Sequence, residues 1–251
     1  MKFIDSHCHI HDSEFFLENR EEAYRLSIDR DVSMICIGTT ELSSREAVEF
    51  AATHKDCYAT VGVHPHDTIA GWNGIERLLE QFPGQIVGIG EIGLDYFYTH
   101  SPKEVQMQAL RDQLALAQRY DLPVSFHVRE AFDDFWSILD EFEGIRGVLH
   151  SFTDTDENLQ KALQRGLYIG VNGISTFTKN EKQRKMYQVL PLRYILLETD
   201  APYLTPAPIR RKMNIPAYVE LVASHQAEAK NVSLEEVARI TTDNARKLFG
   251  V

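Results

Sequence analysis

The chain has 251 residues, of which 43% are hydrophobic, 10% aromatic and 25% charged. This is the composition of an ordinary folded protein, and the length fits one TIM-type barrel, although it also permits two small domains. Lysine and arginine total 26 against 37 acidic residues, so the formal net charge is −11, which argues against broad, sequence-indifferent binding to nucleic acid.

Membrane and redox signals are absent from the sequence. No stretch approaches the roughly 20 apolar residues that cross a bilayer, and the N-terminus meets polar residues immediately. Cys8, Cys36 and Cys57 follow no metal or redox spacing. We therefore expect a cytoplasmic protein with reduced thiols, no membrane contact and no obligate protein partner.

Short apolar, β-branched runs alternate with longer amphipathic stretches along the chain. Eight runs are predicted strands: 3–4, 32–37, 58–63, 86–89, 123–126, 147–149, 167–171 and 194–197. Eight strands separated by helical patterns are what a parallel barrel requires. The pattern favours one domain over residues 1–251, an α/β fold of the single (β/α)8 TIM type. A doubly wound open sheet is the alternative, since a count of strands does not show closure.

Two helices have recognisable start signals. Ser101, followed by Pro102 and Glu104, predicts a capping box with proline at the first helical position. Ser233 and Glu236 predict a second box, and the last helix is expected to end at Gly250.

Histidines and carboxylates close five of the predicted strands. His7 and His9 are two apart on the first strand, so their side chains share a face. A barrel gathers the ends of its strands at one face. The candidate metal ligands at these ends are His7, His9, Glu91, His127, His150 and Asp200.

Six ligands are more than one tetrahedral ion uses, but they suit two neighbouring divalent ions that share a carboxylate. Asp200 is suited both to ligate an ion and to take the proton of an attacking water. The expected reaction class is hydrolysis. Imidazole ligands favour Zn²⁺ or Mn²⁺ over Mg²⁺.

Six motifs in this order resemble the TatD family of metal-dependent hydrolases, within the amidohydrolase-like barrel superfamily. The resemblance spans essentially the whole chain. Its motifs occupy residues 5–9, 62–65, 90–96, 123–129, 150–152 and 198–204.

The resemblance implies a ligand set and a substrate. His7, His9, Glu91 and Asp200 would hold one ion, and Glu91 would bridge to a second ion completed by His127 and His150, with Glu91 and Asp200 as the catalytic carboxylates. Family members are described as DNases, often 3′-to-5′ exonucleases on single strands, for which nuclease activity is usually associated with Mg²⁺. DNA is therefore the implied substrate.

Further substrate contacts are implied around this set: His64, Asp95, Arg129, Arg210, Lys212 and Asn214. Asp95 has the alternative role of orienting a metal ligand or capping a loop. Glu198 shares a strand face with Asp200, and its alternative role is to support the metal ligands from behind. The aromatic residues Tyr96, Phe97, Tyr98 and Tyr203 are candidates for stacking a base, with loop packing as the alternative for the first three.

The sequence departs from the family at several positions. Ala201 replaces a serine that is common in the family. In the basic loop after strand eight, residues 209–216, Ile209 and Arg211 replace a histidine and a glycine. His11 is expected to be a loop histidine rather than a seventh ligand. These departures leave open a second function, hydrolysis of a carboxylic ester, lactone or amide. A third possibility, a metal-binding protein without turnover, is disfavoured because the catalytic set lacks no member.

Overall fold

The computed structural model describes residues 2–13, 16 and 19–251. Within these residues, parallel strands form one eight-stranded sheet whose order follows the chain, β1 through β8. The strands are β1 (Phe3–Cys8), β2 (Val32–Ile37), β3 (Cys57–Val61), β4 (Ile86–Asp95), β5 (Val124–Arg129), β6 (Gly147–Leu149), β7 (Tyr168–Val171) and β8 (Ile195–Leu197).

Helices occupy the stretches between the strands and the C-terminal part of the chain. In the described ranges they are α1 (Arg20–Ile28), α2 (Glu41–Thr53), α3 (Gly74–Gln81), α4 (Lys103–Arg119), α5 (Phe132–Leu139), α6 (Asp156–Gln164), α7 (Ile174–Phe177), α8 (Glu181–Val189), α9 (Val219–Lys230) and α10 (Leu234–Phe249). None of the described helices is long and apolar enough to span a bilayer.

The strand order decides between the two predicted architectures. A doubly wound sheet reverses direction at a switch point, so its strands are out of sequence order. Here the sequential order of the strands is that of a (β/α)8 barrel, and the prediction of a TIM-type fold is confirmed. Two compact units are present: the described residues up to Cys36 together with 151–251, and residues 37–150. The single-domain organisation stays a prediction.

Strand β4 contributes to the hydrophobic core of residues 37–150. Ile89, Ile92 and Leu94 are fully buried along it, and Leu110 and Leu114 of α4 are equally buried. Burying one such side chain contributes roughly 1.5–3 kcal/mol. β4 is longer than its predicted run and ends at Asp95, so Glu91 lies inside the strand rather than just after it.

One helix-start prediction is confirmed and one is wrong. Ser233 accepts a hydrogen bond from Glu236 N, and the left-handed Gly250 follows α10. Ser101, in contrast, does not cap α4, whose N-cap position is Pro102. Its hydroxyl donates instead to His66 O at 2.8 Å, a carbonyl of the loop that follows β3.

Candidate metal centre

The first group of predicted ligands lies where β1 ends. His7 Nε2 and His9 Nε2 are 3.7 and 3.5 Å from Asp200 Oδ1, and the two rings meet edge to face with their centroids 5.1 Å apart. Two ligands of one tetrahedral ion, each about 2.1 Å from it, are separated by about 3.4 Å. The observed separations therefore fit three ligands of one divalent ion. We call these three residues the first cluster.

Backbone pairing between β1 and the segment after β8 positions this cluster. Asp200 N donates to His7 O at 2.9 Å, and His9 N donates to Ala201 O at 2.8 Å. Asp200 itself has a φ of 58°, a left-handed conformation that is uncommon outside glycine. The ligands on both segments are thus set by main-chain contacts rather than by flexible side chains alone.

Asp5 is a buried support for the first cluster that the sequence did not assign. Its Oδ1 accepts from Thr199 N at 2.8 Å and its Oδ2 accepts from the Thr199 hydroxyl at 2.5 Å. Burial raises the pKa of Asp5 to about 8, although these hydrogen bonds act in the opposite direction. The available signal was a carboxylate inside the apolar start of β1, two residues before His7.

The second group of predicted ligands surrounds the carboxylate of Glu91, which is only 4% exposed. Its Oε1 lies 3.0 Å from His127 Nδ1, 3.8 Å from His64 Nε2 and 3.9 Å from His150 Nε2. The potential ligand atoms of Glu91, His127 and His64 lie within 4.8 Å of one another. We call these four residues the second cluster. Imidazole and carboxylate donors at this spacing suit a borderline divalent ion.

Asp95 orients His127 from behind. Its Oδ2 lies 2.9 Å from His127 Nε2 and 2.9 Å from His66 Nε2. A carboxylate on the far nitrogen of a ligating histidine fixes the tautomer and ring orientation. Burial opposes ionisation of Asp95, but hydrogen bonds from His127 and from Tyr98 N outweigh it and hold the pKa of Asp95 well below its usual range. Asp95 was predicted to line the substrate pocket, and its observed contacts support the alternative role of orienting a ligand.

Gly93 permits the close approach of β4 to β5 beside this cluster. Gly93 is opposite His127 in the parallel register, and its φ is +154°. A Cβ at this position would overlap the carbonyl oxygen of His127. Only glycine lets the two strands meet at the spacing that places His127 against Glu91.

In His64 the ring nitrogen that faces Glu91 is protonated, whereas a metal ligand needs an unprotonated nitrogen there. Its Nδ1 accepts a hydrogen bond from His66 N at 3.1 Å. Burial lowers the pKa of His64 well below its usual value, so the ring is neutral and Nε2 carries the proton. An Nε2–H facing Glu91 is a donor, and it suits an anionic substrate oxygen better than a metal ion. Although His64 falls among the potential ligands by distance, its tautomer supports the predicted substrate contact.

Two arginines predicted to contact the substrate, Arg129 and Arg210, stack on aromatic rings. The guanidinium of Arg129 lies 3.7 Å from the centroid of Phe97, and that of Arg210 lies 3.6 Å from the centroid of Phe177. Arg210 also donates to Thr205 O at 2.6 Å. Stacking of this kind orients a guanidinium and leaves its edges directed outward.

Asn214 holds the basic loop on the end of β8. It is fully buried, and its amide nitrogen donates to Thr199 O at 2.8 Å and to Tyr203 O at 2.6 Å. Lys212, in the same loop, is exposed, and its carbonyl accepts from the Thr205 hydroxyl at 2.7 Å. The observed contacts of Asn214 are structural, and the substrate contacts predicted for Asn214 and Lys212 stay predictions.

Glu198 supports the segment that follows His150. It is fully buried, and its Oε1 accepts from Ser151 N at 2.8 Å and from the Asn172 amide at 3.2 Å. The alternative role of a supporting residue therefore agrees with its contacts. His11 is buried just after β1, and burial lowers its pKa well below the usual value.

The two clusters contain all six predicted ligands. His7, His9 and Asp200 lie in the first cluster, and Glu91, His127 and His150 lie in the second. Their individual roles as ligands stay predictions. His66 was missed by sequence reasoning because one loop histidine after Pro65 carries no spacing signal.

Comparison with known proteins identifies close relatives. A family model described as TatD related DNase matches residues 4–250. The uncharacterized metal-dependent hydrolase YabD of Bacillus subtilis is 33% identical over 252 residues, covering 99% of each chain. The 3′-5′ ssDNA/RNA exonuclease TatD of Erwinia tasmaniensis is 36% identical over 250 residues, covering 94% of this chain and 95% of the relative. The crystal structure of YJJV, a TatD homolog from Escherichia coli K12, superposes with a TM-score of 0.91 at 30% identity, covering 99% and 98% of the two chains.

Proposed function

The chain belongs to the TatD-related family of metal-dependent hydrolases, and from this membership we propose that it removes nucleotides from the 3′ end of single-stranded DNA. The observation that carries the proposal is the ligand geometry around Glu91, combined with relatives named as 3′-5′ ssDNA/RNA exonucleases. A phosphodiester is the bond that this activity would break.

We further propose that the two clusters hold two divalent ions. The first ion would be held by His7, His9 and Asp200, and the second by His127 and His150, with Glu91 shared between them. The fold supports this assignment because the carboxyl ends of all strands in a (β/α)8 barrel form one active face. Bound divalent ions would polarise a phosphoryl oxygen and lower the pKa of water.

Side chains around the ions would activate the water and bind the phosphate. Asp200 would accept the proton of the attacking water, since a carboxylate within reach of the site is a suitable general base. The Nε2–H of His64 would donate to a phosphate oxygen, and Arg129 would add a charged donor held in place by Phe97. These roles place one base and two donors around a phosphodiester.

The test is degradation of single-stranded DNA by metal-stripped protein after Mg²⁺, Mn²⁺ or Zn²⁺ is restored separately. A strand labelled at its 5′ end should shorten progressively from its 3′ end. Asp200→Asn keeps the size of the side chain but removes its charge, and we expect kcat/KM to fall about 100- to 10,000-fold. Asp243→Asn, on the exposed side of α10, is the matched control and should retain full activity.

Two results separate this proposal from the alternative hydrolase. Shortening that is lost in Asp200→Asn but kept in Asp243→Asn supports the exonuclease. Intact DNA with every metal, in protein shown to bind metal by elemental analysis, contradicts it. Turnover of lactones, esters or amides by that protein would then establish the second function.

A further inference from the structure

A cavity lies between the loop that follows β4 and the start of α4. Its volume is about 470 Å³, and its lining includes Asp95, Tyr96, Tyr98, His100, Lys103 and Gln106. We call it the β4–α4 cavity. Small-molecule sites typically have volumes of about 300–1,000 Å³, so the cavity is large enough for one nucleoside. No predicted metal ligand lines it, although Asp95 belongs both to its wall and to the support of His127.

One wall of the β4–α4 cavity is aromatic. Tyr98 is 44% exposed, and its ring lies within 29° of parallel to that of His100, with centroids 5.6 Å apart. The rings of His66 and Tyr98 are nearly perpendicular, at 88°, with centroids 5.3 Å apart. An exposed aromatic side chain suits a flat, unpaired base, because base–aromatic stacking tolerates any sequence.

Cations lie beside this aromatic wall in an otherwise acidic protein. Lys103 Nζ lies 4.0 Å from the ring centroid of Tyr96, and the guanidinium of Arg129 lies 5.1 Å from that of Tyr98. A nucleotide presents a flat base and an anionic phosphate within one unit. The cavity therefore offers a partner to each part.

The walls of the cavity are fixed by internal hydrogen bonds. Gln106 donates to Asp95 O at 3.0 Å and to Ser101 O at 2.9 Å, while the Ser101 hydroxyl donates to His66 O at 2.8 Å. These contacts join the loop, α4 and the segment after β3. A preformed site spends little binding free energy on ordering its own loops.

Asp95 connects the aromatic wall to the second cluster. Its Oδ1 accepts from Phe97 N at 2.9 Å and Tyr98 N at 3.1 Å, whereas its Oδ2 contacts His127 Nε2 at 2.9 Å. One rigid carboxylate thus fixes the position of Tyr98 relative to a predicted metal ligand. A base stacked on Tyr98 would hold its own strand at a set distance from the second cluster.

We propose that the β4–α4 cavity binds an unpaired nucleobase of the strand whose phosphodiester lies at the second cluster. This inference rests on the proposed exonuclease function and adds a base-binding subsite to it. It assigns Tyr98 the role of stacking residue and Lys103 that of a phosphate contact.

The experiment compares two single strands that differ only at their 3′ ends. One carries ordinary nucleosides throughout, and the other carries abasic tetrahydrofuran residues at its last positions. Affinities are measured by fluorescence anisotropy on metal-free protein, and kcat/KM is measured on the metal-loaded protein. Stacking on one aromatic ring predicts that the wild type prefers the ordinary strand by about 5- to 150-fold in both measurements.

The variants test whether the preference for the ordinary strand depends on the ring of Tyr98. Tyr98→Ala should reduce the preference to near unity, and Tyr98→Phe should keep it because the ring remains. Tyr58→Ala is the matched control, since Tyr58 is a partly exposed tyrosine in β3 that does not line the cavity. It should keep the preference for the ordinary strand.

Several outcomes overturn the inference. A wild type that does not bind the ordinary strand, or does not distinguish the two strands, has no base subsite. A preference that survives in Tyr98→Ala, or that is lost in Tyr58→Ala instead, places the base elsewhere. Methyl p-nitrophenyl phosphate, which carries no base, separates this failure from that of the exonuclease: if neither strand nor this diester is cleaved, the proposed function itself fails.

Discussion

Asp95→Asn should weaken metal binding at the second cluster without unfolding the protein. The carboxylate of Asp95 contacts four nitrogen atoms: Phe97 N and Tyr98 N on Oδ1, and the Nε2 atoms of His66 and His127 on Oδ2. An asparagine that keeps its oxygen toward the two backbone amides turns its NH₂ group toward the two imidazoles. That group donates and does not accept, so His127 loses the partner that fixes its tautomer.

The expected size of the effect follows from this single lost contact. Loss of a carboxylate partner behind a ligating histidine typically weakens metal affinity by about 10- to 100-fold, which corresponds to about 1.4–2.7 kcal/mol. A hydrogen bond to a charged group contributes about 1.5–3 kcal/mol, so the two magnitudes agree. Of the two proposed ions, the loss should affect the one at the second cluster, because His127 is its predicted ligand.

Isothermal titration of metal-free protein with Zn²⁺ or Mn²⁺, in the presence of a competing chelator, measures this effect. Asp134→Asn is the matched control: Asp134 accepts from the Tyr96 hydroxyl at 2.8 Å, in the same region, but supports no predicted ligand. An affinity of Asp95→Asn within twofold of the wild type, in protein with an unchanged circular dichroism spectrum, would refute the orienting role of Asp95.

Two further predictions concern stability, both measured by urea unfolding. Gly93→Ala should lower the free energy of unfolding by about 1–3 kcal/mol or more, because the added Cβ would overlap the His127 carbonyl. The control is Gly84→Ala, at a positive φ but in open space, which should lower the free energy of unfolding by less. Equal losses of stability in the two variants would contradict the packing argument. Burial lowers the pKa of Lys230 to about 8 from 10.5, so the unfolded chain binds more protons between these values and the free energy of unfolding rises with pH across this window. Lys230→Met should remove this pH dependence of the free energy of unfolding, whereas Lys182→Met, at an exposed position, should keep it. Identical pH profiles for the wild type and Lys230→Met would contradict the prediction.

The sequence predicted the strands and their polar ends because both depend on local patterns. Buried parallel strands consist of apolar runs, and His127 and His150 follow such runs directly. The runs were too short at the functional ends, however: β4 continues from the predicted Ile89 to Asp95. Glycine and charged residues ended the apolar pattern there, while pairing with β5 continued the strand.

The supporting residues were beyond prediction because their roles depend on distant partners. Asp5 contacts Thr199, 194 positions away, and nothing near either residue indicates the pairing. The capping box at Ser101 failed for a related reason, since a loop carbonyl at His66 engaged the hydroxyl. Likewise, the tautomer of His64 is set by one backbone amide. Local patterns predict ligands, whereas the contacts that orient them arise only on folding.

The acidic composition and the proposed nucleic-acid substrate are compatible if the contacts with phosphate are few and local. A net charge of −11 gives no long-range attraction to a polyanion, and each neutralised phosphate of a long bound strand would require its own cation. A strand end engages few phosphates, so a small number of well-placed cations is enough. Arg129 and Arg210 are fixed in advance by stacking on Phe97 and Phe177, which limits the entropy that each guanidinium loses on binding. The same arrangement disfavours binding to the middle of a long strand, and so agrees better with an enzyme that acts at ends.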